Sequence, residues 1–78
     1  MKELVTYLAK ALVNNPDEVE VSEIQGETAA ILELRVAKED LGRIIGKQGR
    51  TAKSIRTLIN AAASRTNRKV VLEIVEDK

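Results

Sequence analysis

Two glycines three residues apart, Gly46 and Gly49, stand between two stretches whose apolar residues recur at helical spacing. Upstream, Leu41, Ile44 and Ile45 follow Lys38, Glu39 and Asp40, an order that predicts a short helix. Downstream, Ala52, Ile55, Leu58, Ile59, Ala62 and Ala63 predict an amphipathic helix from Arg50 to Arg65. Only about four residues are left to reverse the chain, and glycine at both ends makes so tight a turn accessible, Gly46 through a left-handed helix exit. A turn without Cβ atoms lets a foreign backbone approach closely. The helix that starts behind it directs unpaired N–H groups and the positive end of its dipole at the same place, which suits a phosphate. Two glycines at this spacing can also do no more than end one helix and begin the next, so the rest of the chain has to decide between these roles.

The remaining periodicities are equally short. Leu4, Val5, Leu8, Ala9 and Leu12 predict a helix over residues 2–13, ended by Asn14-Asn15-Pro16. Val19 and Val21 alternate with Glu18, Glu20 and Ser22, a strand running to Ile24, and Gln25-Gly26-Glu27-Thr28 is its turn. Ala30, Leu32, Leu34 and Val36 alternate with Ile31, Glu33 and Arg35 in a second strand, antiparallel to the first. Asn67 suits a helix exit, and Val70, Leu72 and Ile74 give a third strand to Val75. The order αββααβ is an α+β fold. A strand that leaves through two helices returns parallel, so the expected sheet is mixed and three-stranded, with three helices packed on one face. At 78 residues the chain is expected to be one domain, 1–78, with no room for a deep substrate cleft.

Charge sharpens the picture, because a net value of +1 hides a strong asymmetry. Residues 1–37 carry three basic and seven acidic side chains, −4; residues 38–69 carry nine and two, +7; residues 70–78 carry one and three, −2. The chain has no Cys and no His, which removes disulfides, the common zinc sites, thiol nucleophiles and the usual general base. No enzyme is expected, no cofactor, and no metal. No run of 18 apolar residues exists, and Met1-Lys2-Glu3-Leu4 does not open a secretory signal, so the expected setting is cytoplasmic, away from membranes.

Taken together, Ile45-Gly46-Lys47-Gln48-Gly49-Arg50-Thr51-Ala52-Lys53-Ser54-Ile55 resembles the signature of the K-homology (KH) family, I-G-x-x-G-x-x-I-K-x-I. Ala52 departs from it, standing where the signature prefers a larger aliphatic residue. The element order is similar to the type II arrangement, in which the extra helix and strand precede the shared βααβ core. Length and the run Leu41-Gly42-Arg43-Ile44-Ile45-Gly46 resemble the small bacterial members with one KH domain. The resemblance implies single-stranded RNA as partner, with about four nucleotides of backbone clamped by the GxxG loop and bases received in an aliphatic groove. By position, the clamp is Gly46, Lys47, Gln48 and Gly49, with Arg43, Arg50 and Lys53 supplying charge nearby. Ile44 and Ile45 would floor the groove, with Ile31, Glu33 or Arg35 from the second strand, depending on which strand face lies open. It also implies a homodimer, a larger KH-containing RNA-binding partner, and work as an RNA chaperone or post-transcriptional regulator.

Other residues carry plainer expectations. Arg56, Arg65, Arg68 and Lys69 lie farther from the turn and read as solubilising charge. Glu39 and Asp40 read as helix-capping carboxylates. Tyr7 is the sole aromatic residue, so no ring-stacking platform exists, and RNA-recognition-motif and OB-type readers are disfavoured. Leu58, with Ala61 and Ala62, either completes the core or leaves an apolar strip for self-association. A P-loop fails on spacing: three residues separate Gly42 from Gly46, and Gln48 follows the lysine. The standing alternative is a protein-interaction module in which the turn serves geometry alone.

Overall fold

A computed structural model describes residues 1–76 of the chain. Helix α1 (Lys2–Leu12) buries Val5 and Ala9 on its inner side and stops when Val13 turns extended, one residue earlier than its periodicity suggests. Pro16, preset for a first helical turn, then opens a 3₁₀ turn (Pro16–Glu18). Because the Val19 N–H closes that turn on the Pro16 carbonyl, strand β1 begins one residue later than expected, at Glu20–Gln25.

A turn through Gly26 joins β1 to β2 (Ala29–Arg35), with the Gly26 N–H donating to the Ala29 carbonyl at 2.8 Å. A Cβ on Gly26 would lie 2.8 Å from that same oxygen, so the hairpin closes tightly only around glycine. The strands pair antiparallel, with Val21 opposite Leu34 and Ile24 opposite Ile31. Strand β3 (Lys69–Ile74) runs parallel to β2, with Leu32 beside Leu72 and Ala30 beside Val70. The sheet order is β1-β2-β3, the mixed sheet that a two-helix crossover requires.

The crossover holds α2 (Leu41–Ile45) and α3 (Arg50–Ala63). The first turn of the expected short helix, Lys38–Asp40, is 3₁₀ and not α. At its far end α3 tightens into 3₁₀ over Ser64–Thr66 and leaves through Asn67 at φ 57°, the left-handed exit that asparagine tolerates. The three helices cover one face of the sheet. Ala30, Leu32, Leu34, Val70 and Leu72 point into it and meet Val5, Ala9, Ile44, Ile55, Ile59 and Ala63. Each large member of this set stabilises the fold by roughly 1.5–3 kcal/mol relative to exposure. The opposite sheet face carries no helix, and Ile31, Glu33 and Arg35 project there with Ile24, Val71 and Glu73. Leu58 remains 52% exposed, so it does not complete the core. No helix among the described residues is long and apolar enough to cross a membrane.

Candidate nucleic-acid interface

The site is built on α2, only five residues long. A helix of that length does not persist alone in water, so its place is fixed by what packs against it. Ile44, with 0% exposure, is the inward anchor, and Ile45 beside it is half-buried. Ile44 therefore has no surface to offer a ligand; of the two isoleucines expected at the groove floor, only Ile45 reaches solvent.

Gly46 ends α2 at φ 77°, ψ 173°. The expected helix exit was the left-handed helical region; Gly46 instead takes an extended positive-φ conformation essentially confined to glycine. A Cβ there would stand 2.7 Å from the Thr51 Cβ and 2.9 Å from the Thr51 backbone nitrogen. Glycine is thus required at 46 both by its own torsions and by the returning chain. Gln48 (φ 58°) and Gly49 (φ 76°) are left-handed as well, though a Cβ at Gly49 would meet nothing within 4 Å. Three positive-φ residues in four turn the chain about Lys47.

Within the turn, the Gly46 N–H donates to Gly42 O at 2.8 Å and the Gly49 N–H to Gly46 O at 3.1 Å, while the Arg50 N–H closes on Lys47 O. The amides of Lys47 and Gln48 donate in none of these three bonds. No side chain caps α3 at Gly49, so the positive end of a 14-residue helix meets the turn without a built-in acceptor. Lys47, Gln48, Arg50, Lys53 and Arg43 are all exposed around it. Ala52 is buried, so its small size alters packing behind the turn and not the exposed surface.

From Lys53, Arg56 and Asn60 continue along one side of α3, spaced three and four residues apart. They lead to a cleft of about 180 Å³ between α3 and β3, lined by Arg56, Ile59, Asn60 and the run Lys69, Val70, Val71, Leu72. No residue of β2 lines it. β2 is the central strand, hydrogen-bonded on both sides, and its Ile31, Glu33 and Arg35 face the helix-free side of the sheet. The strand beside the cleft is the edge strand β3, whose outer backbone groups have no neighbouring strand. Arg56 and Lys69 accordingly border a concavity, where the sequence suggested only solubilising charge. Asn60 was visible in sequence as part of a polar face, but nothing there linked it to β3.

Asp40 also differs from expectation. It caps no helix; α2 has no side-chain cap at all. The carboxylate is 1% exposed and accepts from the Asn14 N–H (3.1 Å, Oδ1), the Asn15 N–H (3.0 Å, Oδ2) and the Asn15 side-chain amide (2.9 Å, Oδ2). Arg43 Nε lies 3.9 Å from Oδ1. Burial pushes the Asp40 pKa upward, but the hydrogen bonds from Asn15 and Asn14, with Arg43, outweigh it and hold the carboxyl below its ordinary value. Among the described residues no cluster of acidic side chains is arranged to hold a metal ion.

Comparison with known proteins agrees with this architecture. The sequence pattern of the family described as KhpA/KhpB, KH domain, matches residues 2–74. A protein of Clostridium acetobutylicum named RNA-binding protein KhpA is 60% identical over 75 residues, covering 96% of this chain and all of that relative. A Clostridium perfringens protein of the same name is 57% identical over the same shares, and one from Chlamydia caviae is 56% identical over the full length of both chains. No solved structure matches the chain. With its fold, its diglycine turn and full-length relatives above half identity, the chain belongs to the KhpA/KhpB KH-domain family.

Proposed function

We propose that this protein binds single-stranded RNA without catalysis, gripping the sugar-phosphate backbone at Gly46–Gly49 and receiving bases in the cleft between α3 and β3. The observation that carries this reading is the uncapped start of α3, where a turn with glycine at both ends meets a positive helix dipole and the exposed cations Lys47, Arg50 and Lys53. The names of the relatives support the same ligand. Arg43 adds charge from α2, Ile45 adds apolar surface, and Ile44 supports both from beneath. Arg56, Asn60 and Lys69 extend the contact away from the turn.

About four nucleotides fit one such unit. If each phosphate releases ~0.7 counterions, the log–log salt slope is near −3, and a single unit binds weakly at physiological salt. A second unit raises avidity through effective concentration. Leu58, half exposed at mid-helix beside exposed Ala61, is the surface we assign to self-association or to a larger KH-containing partner. Such a paired protein serves as an RNA chaperone or post-transcriptional regulator in the bacterial cytoplasm. Sedimentation of wild type against folded Leu58→Asp tests the pairing: a lower mass for the variant supports it, and an unchanged mass rejects it.

The deciding experiment for the ligand is the double variant Lys47→Asp, Gln48→Asp, titrated against a fluorescently labelled single-stranded oligoribonucleotide. Loss of about 2 kcal/mol of charged hydrogen bonding corresponds to roughly 30-fold weaker binding. Both side chains are exposed, so the melting temperature should not fall. Unchanged affinity would instead favour the protein-interaction module.

A further inference from the structure

The carboxylate of Asp40 joins two parts of the chain: the loop that follows α1 and the start of the helix that carries the diglycine turn. Its three donors come from Asn14 and Asn15, 25 or 26 residues away in sequence. The helix it precedes is five residues long, and Gly46 follows directly. Two buried residues help to hold such a helix, Ile44 within it and Asp40 just before it. The chemistry is selective for a carboxylate. Three N–H donors converge on two acceptor oxygens, whereas an asparagine would turn its own NH₂ group toward donors. The same carboxylate lies beside Arg43 Nε at 3.9 Å, and the Arg43 side chain is 56% exposed, in reach of whatever occupies the turn.

We infer that Asp40 is a positioning residue for RNA binding: by tying Asn14 and Asn15 to the residue just before α2 it fixes where the Gly46–Gly49 turn sits and how Arg43 is presented to the backbone. This rests on the RNA-binding reading above. The tie makes no contact with RNA itself. Its effect passes through the rigid placement of a turn whose own torsions are already set by Gly46 and Gly49, so loosening it displaces the clamp as a body without unravelling it.

The test compares Asp40→Asn and Asn15→Ala with Val5→Ala, a core variant in α1 that leaves the Asp40 hydrogen bonds intact, at a temperature where all are folded. Two quantities are read: Kd for a labelled single-stranded oligoribonucleotide, and amide chemical shifts and hydrogen exchange of Gly46–Gly49 without RNA. Asp40→Asn should weaken binding by about five- to tenfold and Asn15→Ala by about two- to threefold, in line with the loss of one or a few hydrogen bonds. Both should shift and speed exchange of the turn amides, while Val5→Ala lowers the melting temperature and leaves Kd and the turn unchanged. Should Asp40→Asn fail to fold, Asn15→Ala carries the comparison alone. Equal Kd values for wild type, Asn15→Ala and Val5→Ala, with unmoved turn amides, would overturn the positioning role. Absence of RNA binding by the wild type would instead overturn the RNA reading.

Discussion

The two ends of α3 carry similar charge and opposite chemistry. At its start stand Lys47, Arg50 and Lys53, and at its end Arg65 and Arg68. Both ends also use residues at positive φ, Gly46, Gln48 and Gly49 at one and Asn67 at the other. The difference lies in what is already satisfied. At the end, the Ser64 hydroxyl donates to Ala61 O, the Thr66 hydroxyl to Ala63 O, and Arg68 reaches across to Gly26 O at 2.9 Å. Cations there complement the negative end of the dipole and tie the β1–β2 turn to the helix exit. At the start, no side chain caps the helix, and the dipole adds to the cations. The two sets of cations therefore differ in setting: at the start they add to a helix pole of the same sign that no side chain caps.

Backbone substitution separates the two ends most strongly. Gly46→Ala must leave a conformation costing ~1–3 kcal/mol and also push against the Thr51 backbone, so a total near 3 kcal/mol is expected. For a chain of this size that lowers the melting temperature by more than about 10 °C. Gly49→Ala and Asn67→Ala meet only the left-handed penalty of about 1 kcal/mol, a fall of roughly 4–8 °C. Equal melting losses at Gly46 and Asn67 would mean that the returning chain does not press on the turn.

Charge removal comes next, in two pairs that delete the same formal charge. Arg50→Ala with Lys53→Ala should weaken RNA binding about tenfold and flatten the salt slope by about 1.4. Arg65→Ala with Arg68→Ala should change affinity by less than about twofold, consistent with a general field screened within a Debye length of ~8–10 Å. Similar losses from both pairs would reduce the interface to net charge and remove the special standing of the turn.

Acid should also act on the start before the end. Asp40 has its folded pKa below the ordinary aspartate value, so its contribution is complete above that value and is lost as pH falls through the lower one. In native-state hydrogen exchange below about pH 4, corrected for intrinsic rates, protection at Gly49 and Arg50 should fall before protection around Asn67. Asp40→Asn should abolish that difference.

Much of this molecule is legible from local pattern. Leu32 and Leu34 alternate with Ile31 and Glu33, Ile55 and Ile59 repeat at helical spacing, and these alone yield αββααβ and its mixed sheet. The turn was legible for the same reason, because Gly46-Lys47-Gln48-Gly49 is a contiguous stretch whose backbone needs are written in residue type. What escaped depends on residues distant in sequence. Whether Ile31 or Leu32 faces the helices is settled by packing and not by period-two alternation, which is symmetric between faces. The cleft pairs Asn60 with Val71 across the helix exit, and Asp40 finds Asn14 and Asn15 across two strands; neither leaves a periodic trace. Asp40 looked like a cap because carboxylates before helices usually are, and tertiary donors outcompeted that local role.

The smallest effect bears on Gln48, one of two residues other than glycine that hold positive φ among the described residues. Gln48 holds φ 58° in the turn as Asn67 holds φ 57° at the helix exit, yet only asparagine has a short side chain suited to that region. Gln48→Asn should therefore raise the melting temperature by about 2–4 °C, roughly 0.5 kcal/mol. Nothing comparable is available at position 67, where the favourable residue is already present. If RNA affinity stays within about twofold, Gln48 acts through its backbone and its side chain is a spacer over the phosphate path. If affinity falls while stability rises, the longer amide makes a contact of its own, and the strain at Gln48 is retained for binding, a cost that the end of α3 does not carry.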